Sequence, residues 1–164
     1  MDVKNKRIVV TGAASGIGKA LCEAFHEAKA QSIVAVDMNL DGAQETADSV
    51  NGIAIKANVG SEEDTINIIE KSDEHAGGID IYCSNAGIGG VPGFFEVNAS
   101  DWQNIWDVNV QSHIFAAKHV LPQMIERGEG YLVNTSSAAG LLTQLGAAGY
   151  SVTKAAAVSF AEWI

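Results

Sequence analysis

A chain of 164 residues, 47% hydrophobic and 18% charged, has the size and balance of one globular domain with a real core. Twenty acidic against ten basic residues give a formal net charge of -10, which opposes nucleic acid and anionic membranes as partners. A nucleotide cofactor stays open, because helix N-termini and backbone amides bind phosphate without Lys or Arg.

Taken in chain order, apolar runs alternate with amphipathic stretches, the pattern of βαβ units and a parallel sheet. The apolar run after Met1–Arg7 stops at Thr11-Gly12, too short for a signal-peptide core, so no export is expected. Arg7-Ile8-Val9-Val10-Thr11 reads as a buried strand, and Ile17, Leu21, Ala24, Phe25 and Ala28 then fall at helical spacing as one stripe facing a sheet. Further strands are expected at Ile33–Asp37, Ile53–Ile55, Ile79–Cys83 and Tyr131–Asn134. Ser61 followed by Glu62, Glu63 and Asp64 opens a helix as N-cap and acidic first turn. Gly87 to Gly93 is a loop, Ser100-Asp101-Trp102-Gln103 matches a capping box, and a long helix is expected from Asp101 toward Met124, bent or loosened in its last turn by Pro122. The uncharged stretch Gly130–Thr153 has the length of a membrane span, but its polar side chains and four glycines make it a soluble segment. From Tyr150 onward an Ala-rich helix is expected.

The turn Thr11-Gly12-Ala13-Ala14-Ser15-Gly16-Ile17-Gly18 lies between the first strand and the first helix, where a dinucleotide-binding turn must be. Gly12 supplies a tight turn, Gly16 lets the backbone approach a pyrophosphate, and Gly18 lets helix and strand pack closely; Ser15 and Ile17 complete the cradle. The spacing is G-x-x-x-G-x-G. A P-loop is disfavoured, because Ala13 replaces its first glycine and Ala20 its Mg2+-binding hydroxyl. Asp37, at the end of the second strand, suits the ribose hydroxyls of an adenosine, and its charge opposes a 2′-phosphate that neither Ser15 nor Met38 would compensate. NAD is therefore expected over NADP.

Tyr150-Ser151-Val152-Thr153-Lys154 places a phenol and an ammonium on one face of a helix, downstream of Ser137. A phenol is a poor base near neutral pH unless a neighbouring cation stabilises its phenolate, so the pair suits proton exchange with a substrate oxygen while hydride passes to or from a nicotinamide. With Thr11–Gly18, Asn85-Ala86-Gly87 after the fourth strand, Asn109 in the long helix and Asn134-Thr135-Ser136-Ser137, the chain resembles the short-chain dehydrogenase/reductase family over essentially its whole length. The resemblance implies a Rossmann-like doubly wound α/β fold and an oxidoreductase acting on a secondary alcohol or ketone. It also implies that Lys154 holds the nicotinamide ribose, Ser137 binds the reacting oxygen, and Asn109 anchors a water in a proton relay. Asn85, Ala86 and Gly87 would line the cofactor, and Asn58-Val59 stand where the family more often has Asp-Val beside the adenine.

Further expectations follow from the same residues. Cys22 and Cys83 form no metal or CxxC pattern and read as reduced thiols of a cytoplasmic protein, and His26, His75, His113 and His119 show no ligand spacing. Trp102 and Trp106 fit packing or a subunit contact. By resemblance, a homotetramer or homodimer is expected. The family domain would continue for roughly another 80 to 100 residues. Residues 1–164 then form one domain incomplete at its C-terminus, inactive alone and lacking most of the substrate lid, with no helix stop after Phe160-Ala161-Glu162-Trp163-Ile164. Val91, Pro92, Phe94, Phe95, Leu141, Leu142 and Leu145 suggest an apolar substrate, unless they belong to the core. The competing reading is a noncatalytic NAD-binding or scaffold protein of the same fold.

Overall fold

The computed structural model describes residues 2–164. Its strands β1 (Arg7–Thr11), β2 (Ser32–Asp37), β3 (Ile53–Lys56), β4 (Ile81–Ser84) and β5 (Tyr131–Asn134) form one parallel sheet in the order β3-β2-β1-β4-β5. The chain runs outward from β1 through β2 to β3, then crosses back to β4 on the other side of β1. This reversal opens a crevice beyond the carboxyl ends of β1 and β4, where ligands bind in doubly wound α/β folds.

Alternating side chains of the strands serve two cores, one on each face of the sheet. Ile8 and Val10 of β1 point to the face covered by α1 (Gly16–Glu27) and α2 (Leu40–Ser49), where they meet Cys22, Ala47 and Val50. Val9 points to the opposite face, packed with Ile68 of α3 (Glu62–Ala76) and Val120 of α5 (Ser112–Arg127). The remaining helices are α4 (Ala99–Trp106), the short α6 (Ala139–Leu142) and α7 (Ala148–Trp163), which packs on α4, α6 and the π-helical turn Asp107–Gln111 between α4 and α5. Among the described residues no helix is long and apolar enough to cross a membrane.

Several local expectations are corrected by tertiary contacts. The buried face of α1 is Gly18 and Cys22, flanked by half-buried Leu21 and Phe25; Ile17 is 65% exposed, and Ala24 and Ala28 are exposed. Gly18 sets that face, because a Cβ there would lie 2.0 Å from the Gly12 carbonyl oxygen. The cap of α4 is Asn98, not Ser100: the Asn98 side chain accepts from the Asp101 amide, and the Asp101 carboxylate accepts from the Asn98 amide. Ser100 lies inside the first turn and donates to Asn98 Oδ1 at 2.5 Å. The long helix is interrupted by a π-helical turn, Asp107–Gln111, and continues past Pro122 to Arg127, where Gly128 in the left-handed region ends it.

Strand four begins at Ile81 rather than Ile79, because the preceding Asp80 is used to anchor Arg7. Its carboxylate accepts from the Arg7 backbone amide and Nε, both at 2.9 Å, which holds its pKa below the ordinary carboxylate range. α2 carries no clear apolar stripe. It buries only Ala43, Thr46 and Ala47, and it is held by Asn39 as N-cap and by Thr46 Oγ1 donating to the Ala13 carbonyl at 2.8 Å.

Candidate active site

The crevice beyond β1 and β4 is an open cleft of about 630 Å3. Its floor is built by the turn after β1. Thr11 Oγ1 donates to the Cys83 carbonyl and accepts from the Asn85 and Ala86 amides at 3.0 and 3.1 Å, which ties β1 to the end of β4. Asn85 extends the staple: its Nδ2 donates to the Thr11 carbonyl, and its Oδ1 accepts from Thr135 Oγ1 at 3.1 Å beyond β5. Only glycine suits position 12: its φ is 70°, and a Cβ there would stand 2.9 Å from Ala86 Cα.

The start of α1 faces this cleft in a form suited to an anion. Ser15 is extended and makes no side-chain cap bond, and the first turn contains no acidic residue, so its amide donors are left to a ligand. Gly16, at φ 53°, has open space where a side chain would stand. Gly12, Ser15, Gly16, Ile17 and Gly18 all line the cleft, and so does Asp37. The Asp37 carboxylate accepts from the Ala14 amide at 3.1 Å through Oδ2 and from the Asn39 amide at 2.9 Å through Oδ1. It therefore caps its own turn and also faces the cleft. Each oxygen keeps a second lone pair for a ligand.

Asn58 and Val59 line a smaller adjoining pocket of about 160 Å3 with Gly12, Asp37, Ala86 and Gly87. Asn58 Oδ1 accepts from the Gly60 amide at 3.0 Å, so this side chain already supports its own loop. Met38 and Val108, which sequence reasoning did not assign, complete the apolar walls there.

α7 brings Tyr150 and Lys154 to the other end of the cleft, beside Gly87. The Lys154 Nζ lies 5.8 Å from the Tyr150 ring centroid and donates to the Thr135 carbonyl at 3.0 Å. Lys154 is only 3% exposed, and burial pushes its pKa below the ordinary lysine value. A Cβ on Gly87 would stand 3.2 Å from both Lys154 Nζ and Asn109 Oδ1, so glycine makes room for the ammonium.

Asn109 and Ser137 are placed differently from the other expected residues. Asn109 is fully buried in the π-helical turn behind the cleft wall. Its Oδ1 accepts from the Ile88 amide at 2.8 Å, and its Nδ2 donates to the Ile88 carbonyl at 2.9 Å and to Thr153 Oγ1 at 3.1 Å. Ser137 follows the cleft-lining Thr135 and Ser136 by one residue. Its Oγ accepts from the Ala139 amide at 3.1 Å, and its own proton has no acceptor among the described residues. Ser136, by contrast, donates to the Lys154 carbonyl at 2.9 Å and is spent on holding α7.

The mouth of the cleft is made by two loops joined at one point. Gly93 pairs with Ala147 in an isolated parallel bridge, and the Gly93 amide donates to the Gly146 carbonyl at 2.8 Å. Phe94, Phe95, Leu141, Leu142 and Leu145 stand exposed around that junction, so they are not core residues. Gln144 lines the cleft from the same loop; an isolated glutamine in a loop carries no sequence signal for that position. Trp102 of α4 approaches Gly149 of α7. Among the described residues no group of three or more His, Cys, Asp or Glu side chains is arranged to hold a metal. Cys22 and Cys83 are buried free thiols, whose pKa values burial raises to about 12.

A family model described as short chain dehydrogenase matches residues 6–164. Glucose 1-dehydrogenase 2 of Bacillus subtilis (strain 168) is 34% identical over 143 residues, covering 83% of this chain and 55% of that protein. A 3-oxoacyl-(acyl-carrier-protein) reductase of Vibrio cholerae is 30% identical over 164 residues, covering 99% of this chain and 67% of that protein. A crystal structure of a short chain dehydrogenase/reductase from Burkholderia phymatum in complex with NAD superposes with a TM-score of 0.95 at 27% identity, covering 99% of this chain and 60% of that one. The chain thus spans between about half and two thirds of the length of these relatives.

Proposed function

The chain belongs to the short chain dehydrogenase family, and from that premise we propose that the protein transfers hydride between NAD(H) and a secondary alcohol or ketone. The observation that carries this reading is the convergence of two features on one cleft. An uncapped, acid-free helix start over a glycine turn stands at one end, and a phenol beside a buried ammonium stands at the other.

The residues present fit a dinucleotide. The first-turn amides of α1 and the backbone at Gly12 and Gly16 would hold the pyrophosphate, and the spare lone pairs of Asp37 would take adenosine ribose hydroxyls. Asn58 and Val59 would flank the adenine, while Asn85, Ala86 and Gly87 would line the path toward Lys154. The negative charge of Asp37 favours NAD over NADP. When bound, the nicotinamide supplies the hydride acceptor or donor.

In the oxidising direction, the Tyr150 oxygen takes the proton of the substrate hydroxyl as the carbon gives up hydride and its C–O bond becomes a carbonyl; reduction reverses both transfers. The Lys154 ammonium, held in a poorly hydrated position by the Thr135 carbonyl, stabilises negative charge on the phenolic oxygen and offers its remaining protons to a ribose. Ser137, with its own proton uncommitted, would donate to the substrate oxygen. The Asn109 amide is already used by the Ile88 peptide and Thr153, so a water held at Asn109 would depend on its main chain rather than its side chain.

The test is Tyr150→Phe in the full protein, with NAD affinity and turnover of a panel of secondary alcohols measured side by side. NAD binding within about twofold of wild type, with turnover lost by about a thousandfold or more, is the expected result. NAD binding without any alcohol or ketone turnover by the wild type would favour a noncatalytic NAD-binding protein instead.

A further inference from the structure

α5 follows the π-helical turn directly, and its second residue, His113, is 1% exposed. Its Nδ1 stands 2.8 Å from Asn134 Oδ1. An amide oxygen only accepts, so Nδ1 carries the ring proton and Nε2 is left with a lone pair. That Nε2 is buried and has no partner among the described residues. An apolar side chain of similar size would fill the same space without an orphaned polar atom, so packing alone does not account for a histidine here.

What the imidazole does hold is the end of β5. Asn134 is the last residue of that strand, and among the described residues its side chain has no other hydrogen-bond partner than His113. The next carbonyl, that of Thr135, receives the Lys154 ammonium at 3.0 Å. The Thr135 amide donates to the Ser84 carbonyl at 3.0 Å, and Ser136 Oγ reaches the Lys154 carbonyl. Among the described residues the turn from Asn134 to Ser137 is thus hydrogen-bonded to β4 and α7 through Thr135 and Ser136, and to α5 through Asn134 alone.

We propose that His113 is a positioning residue, whose Nδ1–H fixes Asn134 and thereby the turn that presents the Thr135 carbonyl to Lys154 and carries Ser137. The inference rests on the dehydrogenase reading of Tyr150 and Lys154. The ring acts as a neutral donor: burial, and after it the nearby Lys154 charge, push its pKa below the ordinary 6.5, while the Asn134 bond pulls the other way. A neutral ring adds no second cation beside the buried ammonium.

The experiment compares the full protein with His113→Asn, which keeps an N–H donor near the place of Nδ1, and His113→Leu, which fills a similar volume without one. Two readouts are taken: amide hydrogen exchange across residues 134–137, and kcat and KM with NAD and the best alcohol of the panel. In His113→Leu, exchange is expected to speed up about tenfold and kcat to fall about tenfold, with the alcohol KM within about threefold of wild type. His113→Asn should bring both exchange and kcat back to within about threefold of wild type. Wild-type exchange and kcat in His113→Leu would overturn the proposal, and so would His113→Asn being as impaired as His113→Leu. Exchange that responds as expected in a protein that oxidises no alcohol would leave the positioning role standing and sink the dehydrogenase reading.

Discussion

The Asp37 carboxylate accepts the Ala14 amide at 3.1 Å, so the acid that ends β2 and the turn that follows β1 are one unit. Removing this side chain therefore does two things, and two variants separate them. Asp37→Asn keeps an acceptor for Ala14 but removes the charge; Asp37→Ala removes both. Both should lower the NAD to NADP affinity ratio by about tenfold to a hundredfold, the worth of one or two hydrogen bonds to a charged group. Only Asp37→Ala should also loosen the turn and weaken NAD binding beyond that. Titration of both cofactors against the three proteins checks this, and an unchanged ratio would remove Asp37 from cofactor choice.

Lys154 sits in a narrow slot between the Thr135 carbonyl and Gly87. Lys154→Ala should lower kcat/KM by about a thousandfold and weaken NAD binding, because one ammonium serves both the phenol and the ribose. Lys154→Arg should not rescue either quantity, since a planar guanidinium is wider than the space Gly87 leaves. Near-wild-type kcat/KM in Lys154→Arg would show that charge alone suffices.

At Gly18 a Cβ would lie 2.0 Å from the Gly12 carbonyl oxygen and 2.6 Å from the Gly12 carbonyl carbon. Both obstacles are backbone, so the helix start must move. Gly18→Ala should cost about 2 kcal/mol, a fall in Tm of about 4 to 8 °C, and should weaken NAD binding by shifting the first-turn amides. Differential scanning calorimetry with and without NAD measures both effects. An unshifted Tm would mean that α1 tolerates the extra methyl by a movement this packing does not allow.

His113 makes the stability of the protein sensitive to acid. Its folded pKa lies below the ordinary 6.5, so the unfolded chain binds a proton that the native chain refuses as pH falls below that value. Stability contributed by the neutral ring is then full above about pH 6.5 and declines as pH falls toward the depressed native value. The carboxylates Glu62 and Asp80 have lowered pKa values and lose their contribution only further into acid, below the ordinary values of 4.5 and 3.8. Between pH 6.5 and 5, Tm should therefore fall less steeply in His113→Leu than in wild type. Equal slopes would show that His113 does not drive the transition.

The joined loops at the mouth of the cleft present Phe95 at 93% and Leu145 at 96% exposure, with Glu96 as the one charged residue between Asn85 and Asn98. A neutral apolar alcohol or ketone should therefore have a kcat/KM about tenfold or more above that of its carboxylated analogue, which would meet no cation on these loops. Phe95→Ser with Leu145→Ser should raise KM for the apolar substrate. A preference for the carboxylated analogue would reject this assignment.

The strand positions, the glycine turn, Asp37 and the Tyr150–Lys154 pair are legible in the sequence because each is a local pattern: a buried run, a spacing that only glycine satisfies, a helical repeat. Their order along a βαβ chain then places them at the carboxyl ends of β1, β2 and β4 and on one helix face. What local pattern cannot carry is the choice of partner between residues far apart in the chain. Gly18 turns α1 so that Ile17 faces solvent, because the Gly12 backbone stands against it. Asn98 rather than Ser100 caps α4, because its side chain is the one that reaches the Asp101 amide in the folded loop. Thr11 finds Asn85, Asn109 finds Ile88 and Thr153, and His113 finds Asn134. These pairings exist because a buried donor or acceptor must be satisfied by whatever the packed sheet and helices bring within reach, and only the tertiary structure decides what that is.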